Sequence, residues 1–238
     1  MLGGVKIAAA QLSCVPGDVD ANVKQAVELA RQARDQGAEL IVYPELALTG
    51  YELKLIADDP GLLVGARDAR LDPLRDTGIA TVINCAAPTD RGPAIATFVY
   101  GTSGEPISEY LKQQLYEQEQ GLFVAGAQDG RFEFGGLRFS LATCYDNHFP
   151  DLIARNAAAG CDVHLASSLY GSEGGVRERA TIYPGIARES GMAVVLANHV
   201  GTAGPWIGCG GAAVWAPGGD LLVEGDSSST SVVAAHVG

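Results

Sequence analysis

Three residues in this 238-residue chain are of types that carry out acyl chemistry, and each stands where an apolar run gives out. Cys144 follows RFSLAT, Glu45 follows ELIVYP, and Lys112 follows ISEYL. A structural cysteine usually lies inside the apolar run as a small hydrophobe. A nucleophilic one belongs on the turn beyond it, where backbone N–H groups and a nearby cation such as Lys112 should favour thiolate. Taken singly, the glutamate reads as a solvated loop carboxylate and the lysine as a surface charge. Their common placement at strand ends changes that reading, because ligands of open α/β sheets bind outside the carboxyl ends of strands. Together they would let a thiol attack a carbonyl carbon, a carboxylate shuttle protons and an ammonium hold the developing oxyanion.

The elements that must position them alternate between strand and helix. VKIAAAQL reads as a first strand. A helix follows over residues 20–37, with Val23, Ala26, Val27, Ala30 and Ala33 on one face, Asp20 as its cap and Gly37 as a left-handed end. ELIVYPE is a short strand stopped by Pro44. IATVINCAA, AIATFVY and ISEYL are further strands, the last two joined by a GTSGEP hairpin turn. RFSLATC, a helix near 150–159, DVHLASS, a helix near 176–190, MAVVLANHV and a hairpin around APGGD complete the pattern. Residues 171–175, GSEGG, read as a flexible loop. Hairpins mixed with strand–helix–strand units predict a mixed sheet, or two sheets, with helices outside, in one domain over 1–238.

Composition narrows the function. With 47% apolar and 18% charged residues the chain reads as a globular α/β protein with a sizeable core. The weakly basic start, quickly followed by PGDVD, reads as a strand rather than a secretory signal, and no apolar run reaches membrane-spanning length. A net charge of −12 argues against nucleic acid or an anionic membrane as partner. Five scattered cysteines without a CxxC pair fit a reducing, cytoplasmic compartment rather than a disulfide framework. The Cys161/His164 and Cys144/His148 spacings lack the second pair that a metal site would need, so no metal and no other cofactor is expected.

Three blocks carry a resemblance. PEL-x-LTGY, YLK-x-x-L followed by E-x-x-x-F-x-x-G, and C-Y-D-x-x-FP-D stand in the order and spacing of the nitrilase superfamily, the carbon–nitrogen hydrolases. The chain resembles that family from Val5 to about Gly225. The resemblance implies an α-β-β-α sandwich that pairs into a homodimer or higher homo-oligomer. By motif it implies Glu45 as general base, Lys112 as oxyanion-stabilising cation and Cys144 as nucleophile. Tyr145 would complete the oxyanion hole through its N–H, and Tyr51 and Glu119 would contact substrate, although Glu117 competes for the second glutamate's place. Asp146 is expected to fix the turn. The chain departs from the family where KQQL puts Gln114 in place of a histidine, and where ASSLYGSEGG offers Tyr170 instead of a tryptophan.

The implied function is hydrolysis of a small linear amide to an acid and ammonia or an amine, through a thioester and without a cofactor. An N-carbamoyl amine hydrolase is the alternative within enzymes, and a silent binding or scaffold protein the alternative outside them. Nitrile hydrolysis is disfavoured by the short C-terminus. A class I glutaminase is disfavoured because Cys144 lacks flanking glycines and no downstream His–Glu pair appears.

Overall fold

The computed structural model describes residues 4–238. Its first half runs β1 (Val5–Leu12), α1 (Val19–Asp35), β2 (Leu40–Val42), α2 (Leu53–Asp58), α3 (Asp72–Arg75), β3 (Ala80–Thr89), β4 (Gly92–Tyr100) and β5 (Pro106–Leu111). The second half runs β6 (Gly130–Phe134), β7 (Leu137–Thr143), α4 (Pro150–Ala158), β8 (Val163–Ser167), α5 (Gly174–Ser190) and β9 (Ala193–Ala203). It closes with β10 (Trp206–Cys209), β11 (Ala213–Trp215), β12 (Leu221–Glu224) and β13 (Ser231–Val237).

These strands form two sheets. In the first, β1 is central: β2 pairs with it in parallel on one side and β13 antiparallel on the other, and β3, β4 and β5 extend the β2 side. The second has parallel β7, β8 and β9 at its centre, with antiparallel β6 at one edge and β11 and β12 at the other. β10 folds back on the far end of β9. Among the described residues, strands of the two sheets pair only where Gln11 and Leu12 of β1 meet Asn198 and His199 of β9.

Strand alternation explains the layering. Ile7 and Ala9 face a core shared with Phe139, Leu141, Val163 and Leu165 of the opposite sheet. Ala8, Ala10 and Leu12 face the other way, onto Val23, Ala26, Ala30 and Ala33 of α1. In the second sheet Val194 and Leu196 point outward to Leu152 of α4 and to Tyr183 and Ala187 of α5. Three apolar layers between four structural ones make the expected α-β-β-α sandwich.

Some local expectations are corrected. The cap of α1 is Asp18, whose Oδ1 accepts the Ala21 N–H at 2.9 Å; Asp20 sits inside the first turn, where its charge suits the helix dipole. GSEGG is not all loop, because α5 begins at Gly174. A Cβ at Gly175 would stand 3.0 Å from Tyr170, so this glycine permits close packing. Strands β6, β10 and β13 escape local reading. β13 is held by seven register pairs to β1, more than 200 positions away, and its own sequence says little about that partner.

The shared inner core should dominate stability. Phe139 is fully buried and stacks on Phe132 with ring centroids 4.8 Å apart. Phe139→Ala should therefore cost ~3–5 kcal/mol of unfolding free energy, read from urea denaturation.

Candidate active site

Each of the three predicted residues lies just beyond a strand's carboxyl end. Lys112 is the first residue after β5 and Cys144 the first after β7, while Glu45 follows β2 by three positions. The structure brings them together. Lys112 Nζ lies 2.7 Å from Glu45 Oε1 and 2.7 Å from Glu119 Oε1, and all three side chains are buried. Tyr51 donates its hydroxyl to the same Glu119 oxygen at 2.9 Å, and Glu119 Oε2 accepts the Tyr116 N–H at 2.8 Å. Glu119 is thus the second pocket carboxylate, and Glu117 is exposed outside it.

Local backbone geometry delivers these groups. Leu46, next to Glu45, and Cys144 itself adopt left-handed φ values of 49° and 46°. Neither is glycine, so the surroundings must enforce both conformations. Leu46 is held by Asn84, whose Oδ1 accepts its N–H at 2.7 Å and whose Nδ2 donates to Thr97 and, at 3.1 Å, to Thr143. Beyond Thr143 the chain turns through a 3₁₀ segment, Cys144–His148. Asp146 in that turn accepts from Thr143 N at 2.9 Å, Tyr110 Oη at 2.7 Å and Gln114 N at 2.8 Å. It therefore ties the cysteine turn to the segment that carries Lys112. Tyr145 occupies the second position of the turn, where a helical start leaves N–H groups without intrahelical partners. Lys112 is gripped through its own backbone by Ile95 O and Gly126 N.

Two buried histidines complete the support. His199 Nε2 donates to the Glu45 carbonyl at 2.5 Å. His164 Nε2 donates to Asn147 Oδ1 at 2.8 Å, and Asn147 Nδ2 donates to the Cys144 carbonyl at 2.9 Å. Burial pushes both rings down to about 4, so at neutral pH they are uncharged anchors for the two backbones. No reading of the sequence assigned these roles to Asn84, Asn147, His164 or His199. The available signal was a polar side chain inside an apolar run, as in VINCAA and DVHLAS.

The electrostatics reverse one expectation. Burial and the Glu45 charge push the Cys144 thiol well above its ordinary value, and Lys112 offsets this only in part. The cysteine rests as a thiol. The positive charge of Lys112 is already committed to two carboxylates, so it is not free to stabilise a thiolate. Burial also raises Glu45 to about 7, with Lys112 pulling down and Glu119 pushing up. Lys112 is held above its ordinary value despite burial, because the carboxylates of Glu45 and Glu119 beside it favour the ammonium. Glu45 Oε2 has no hydrogen-bond partner, and the carboxyl lies close enough to Cys144 for each to shift the other. A thiol beside an unoccupied carboxylate oxygen, with a cation behind it, can transfer a proton and bind a developing anion.

Above this floor opens a pocket of about 600 Å³, walled by Tyr51, Tyr116, Tyr145, Tyr170 and Trp206. Trp206 enters from β10, an element that sequence reading did not place. Among the described residues no cluster of three His, Cys, Asp or Glu side chains is arranged to hold a metal ion, and His164 is committed to Ser140 and Asn147. No described helix is long and apolar enough to cross a membrane.

Known proteins share the sequence pattern and the fold of this chain. The carbon–nitrogen hydrolase family profile matches residues 6–238. The chain superimposes on an amidase of the nitrilase superfamily from Nesterenkonia sp. AN1 with a TM-score of 0.89 and 30% identity, covering all of this chain and 92% of that one. That amidase has been seen in complex with butyramide, and with the acetamide moiety of fluoroacetamide added covalently at its active-site cysteine. A 2-oxoglutaramate amidase from Bacillus subtilis is 29% identical over 66% of this chain. A nitrilase from Pyrococcus abyssi is 29% identical over 67%. The matched stretch spans 64% and 63% of those two proteins.

Cys144 should be the first thiol alkylated by iodoacetamide, on grounds of access rather than acidity. It is partly exposed in the pocket, whereas Cys14, Cys85, Cys161 and Cys209 are 7% exposed or less. Peptide mapping that finds any of those four modified first would contradict the site.

Proposed function

The chain belongs to the carbon–nitrogen hydrolase family, and from that premise we propose that it hydrolyses small linear amides through a thioester on Cys144. The observation that carries this reading is the unpartnered Glu45 Oε2 beside Cys144, with Lys112 bridging two carboxylates behind them.

Glu45 takes the thiol proton as sulfur attacks the amide carbon. The carbonyl oxygen becomes an oxyanion facing Lys112, two of whose three N–H groups are already bonded to Glu45 and Glu119, and the Tyr145 N–H. Collapse breaks the C–N bond, and the leaving nitrogen departs as ammonia or an amine with the proton from Glu45. Water then enters, loses a proton to Glu45 and attacks the thioester. The second collapse breaks the C–S bond, releases the acid and returns the proton to Cys144. One water is consumed per amide. Because the resting thiol is protonated, every turnover depends on Glu45 as acceptor.

The pH dependence follows from this role. The active form of Glu45 is the carboxylate, and its value is raised to about 7. Activity should therefore be low below that value, rise through it and level off above it, as read from kcat/KM between about pH 5 and 9.

Glu45→Gln keeps the shape and cannot accept a proton. Turnover of butyramide, followed by ammonia release, should fall by ~10²–10⁴-fold. Near-normal turnover by a folded variant would remove the general-base role. Faster hydrolysis of N-carbamoyl amines than of amides by the parent protein would move the substrate to the other enzymatic reading.

A further inference from the structure

The upper pocket is unevenly charged. Its floor holds the carboxylates of Glu45 and Glu119, and its mouth holds those of Glu173 and Glu178 at the start of α5. No lysine or arginine is among the residues lining it. Lys112 lies behind the floor with its side chain wholly buried and bonded to two carboxylates. Arg179 of α5 is turned to Glu224 at 2.7 Å. His148 is the one lining side chain able to become cationic, and its Nε2 already lies 3.2 Å from Glu178 Oε1. The pocket is more than a group of acids, because fully buried Glu45 lines it with an oxygen that has no protein partner.

A substrate seated with its amide at Cys144 extends its far end toward Glu173, Glu178, Tyr145 and Trp206. A distal carboxylate would stand beside the exposed carboxylates of Glu173 and Glu178, a like-charge juxtaposition that opposes binding. A distal ammonium would meet two carboxylates and the faces of aromatic rings, which attract cations. The protein's net charge of −12 adds a field of the same sign.

We propose that this site selects linear amides whose far end carries an ammonium group, accepts neutral ones less well, and rejects those ending in a carboxylate. Glu173 and Glu178 are the specificity-determining residues. The inference rests on the amidase reading and adds the substrate class to it.

The test uses butyramide and its ω-ammonium and ω-carboxylate derivatives. Turnover is followed by ammonia release, and affinity is measured separately by calorimetry on the Cys144→Ala protein. In both readouts the ammonium form should exceed the neutral amide by about tenfold or more, and the carboxylate form should fall below it by as much. At about 1 M salt, where the screening length shrinks to ~3 Å, both gaps should narrow. The Glu173→Gln, Glu178→Gln double variant should bring the ammonium-to-neutral ratio to within about threefold of unity. A carboxylate form bound or turned over as well as the neutral amide overturns the proposal, as does a double variant that keeps the wild-type ratio. If none of the three is hydrolysed, the amidase reading fails. The order of affinities in Cys144→Ala then still decides the charge preference.

Discussion

A lysine ammonium buried between two carboxylates is the interaction on which the rest of this structure depends. Lys112, Glu45 and Glu119 are all withdrawn from water, and an isolated charge at any of these places would be prohibitively costly. Held together at 2.7 Å they offset one another, and the cluster keeps one net negative charge when both acids are ionised. Burial sets the chemistry on top of that balance. It raises Glu45 to about 7, with Lys112 pulling down and Glu119 pushing up, and burial together with the Glu45 charge pushes the Cys144 thiol well above its ordinary value. A cluster with a spare positive charge would produce a standing thiolate and a weaker base. In the proposed reaction, nucleophile and base share a proton that leaves the sulfur only when a carbonyl is ready to receive the electrons.

So close a balance demands exact placement, and polar clamps beside the three residues supply it. Asn84 reaches from the Glu45 side to Thr143 on the Cys144 side. Asp146 reaches from the cysteine turn to Tyr110 and Gln114, which flank Lys112. His199 reaches from the second sheet to the Glu45 carbonyl. Each clamp joins one sheet to the other, and each is buried, so its hydrogen bonds do not exchange freely with water. The left-handed backbones at Leu46 and Cys144 persist because these clamps leave the chain no alternative.

How much of this was legible in the sequence depended on distance along the chain. The strand ends that present Glu45, Lys112 and Cys144 are local events, marked by an apolar run and its termination, and the motif blocks added their roles. Hairpins mixed with strand–helix–strand units left one mixed sheet or two open, and the two-sheet sandwich came from the resemblance carried by the motif blocks. Spacing favoured Glu119 over Glu117 without settling the choice, because the choice rests on which of them Tyr51, 68 positions away, can reach. The thiol state of Cys144 was misread for a related reason: Lys112 looked like a free cation until both of its carboxylates were in view. His199 and β13 were hidden, since their partners lie more than 150 residues distant, whereas His164, bonded to Ser140 and Asn147, showed only as a polar residue inside an apolar run.

The single stitch between the sheets carries a consequence for how the protein comes into being. Glu45 and Lys112 belong to the first sheet and Cys144 to the second, and the first sheet is complete only when residues 231–237 return to pair with β1. Contacts of such long range carry a loop-closure cost that slows their formation. Before the sheets meet, Cys144 and Glu45 lie on separate bodies. The proton transfer proposed between them therefore belongs to the assembled protein alone.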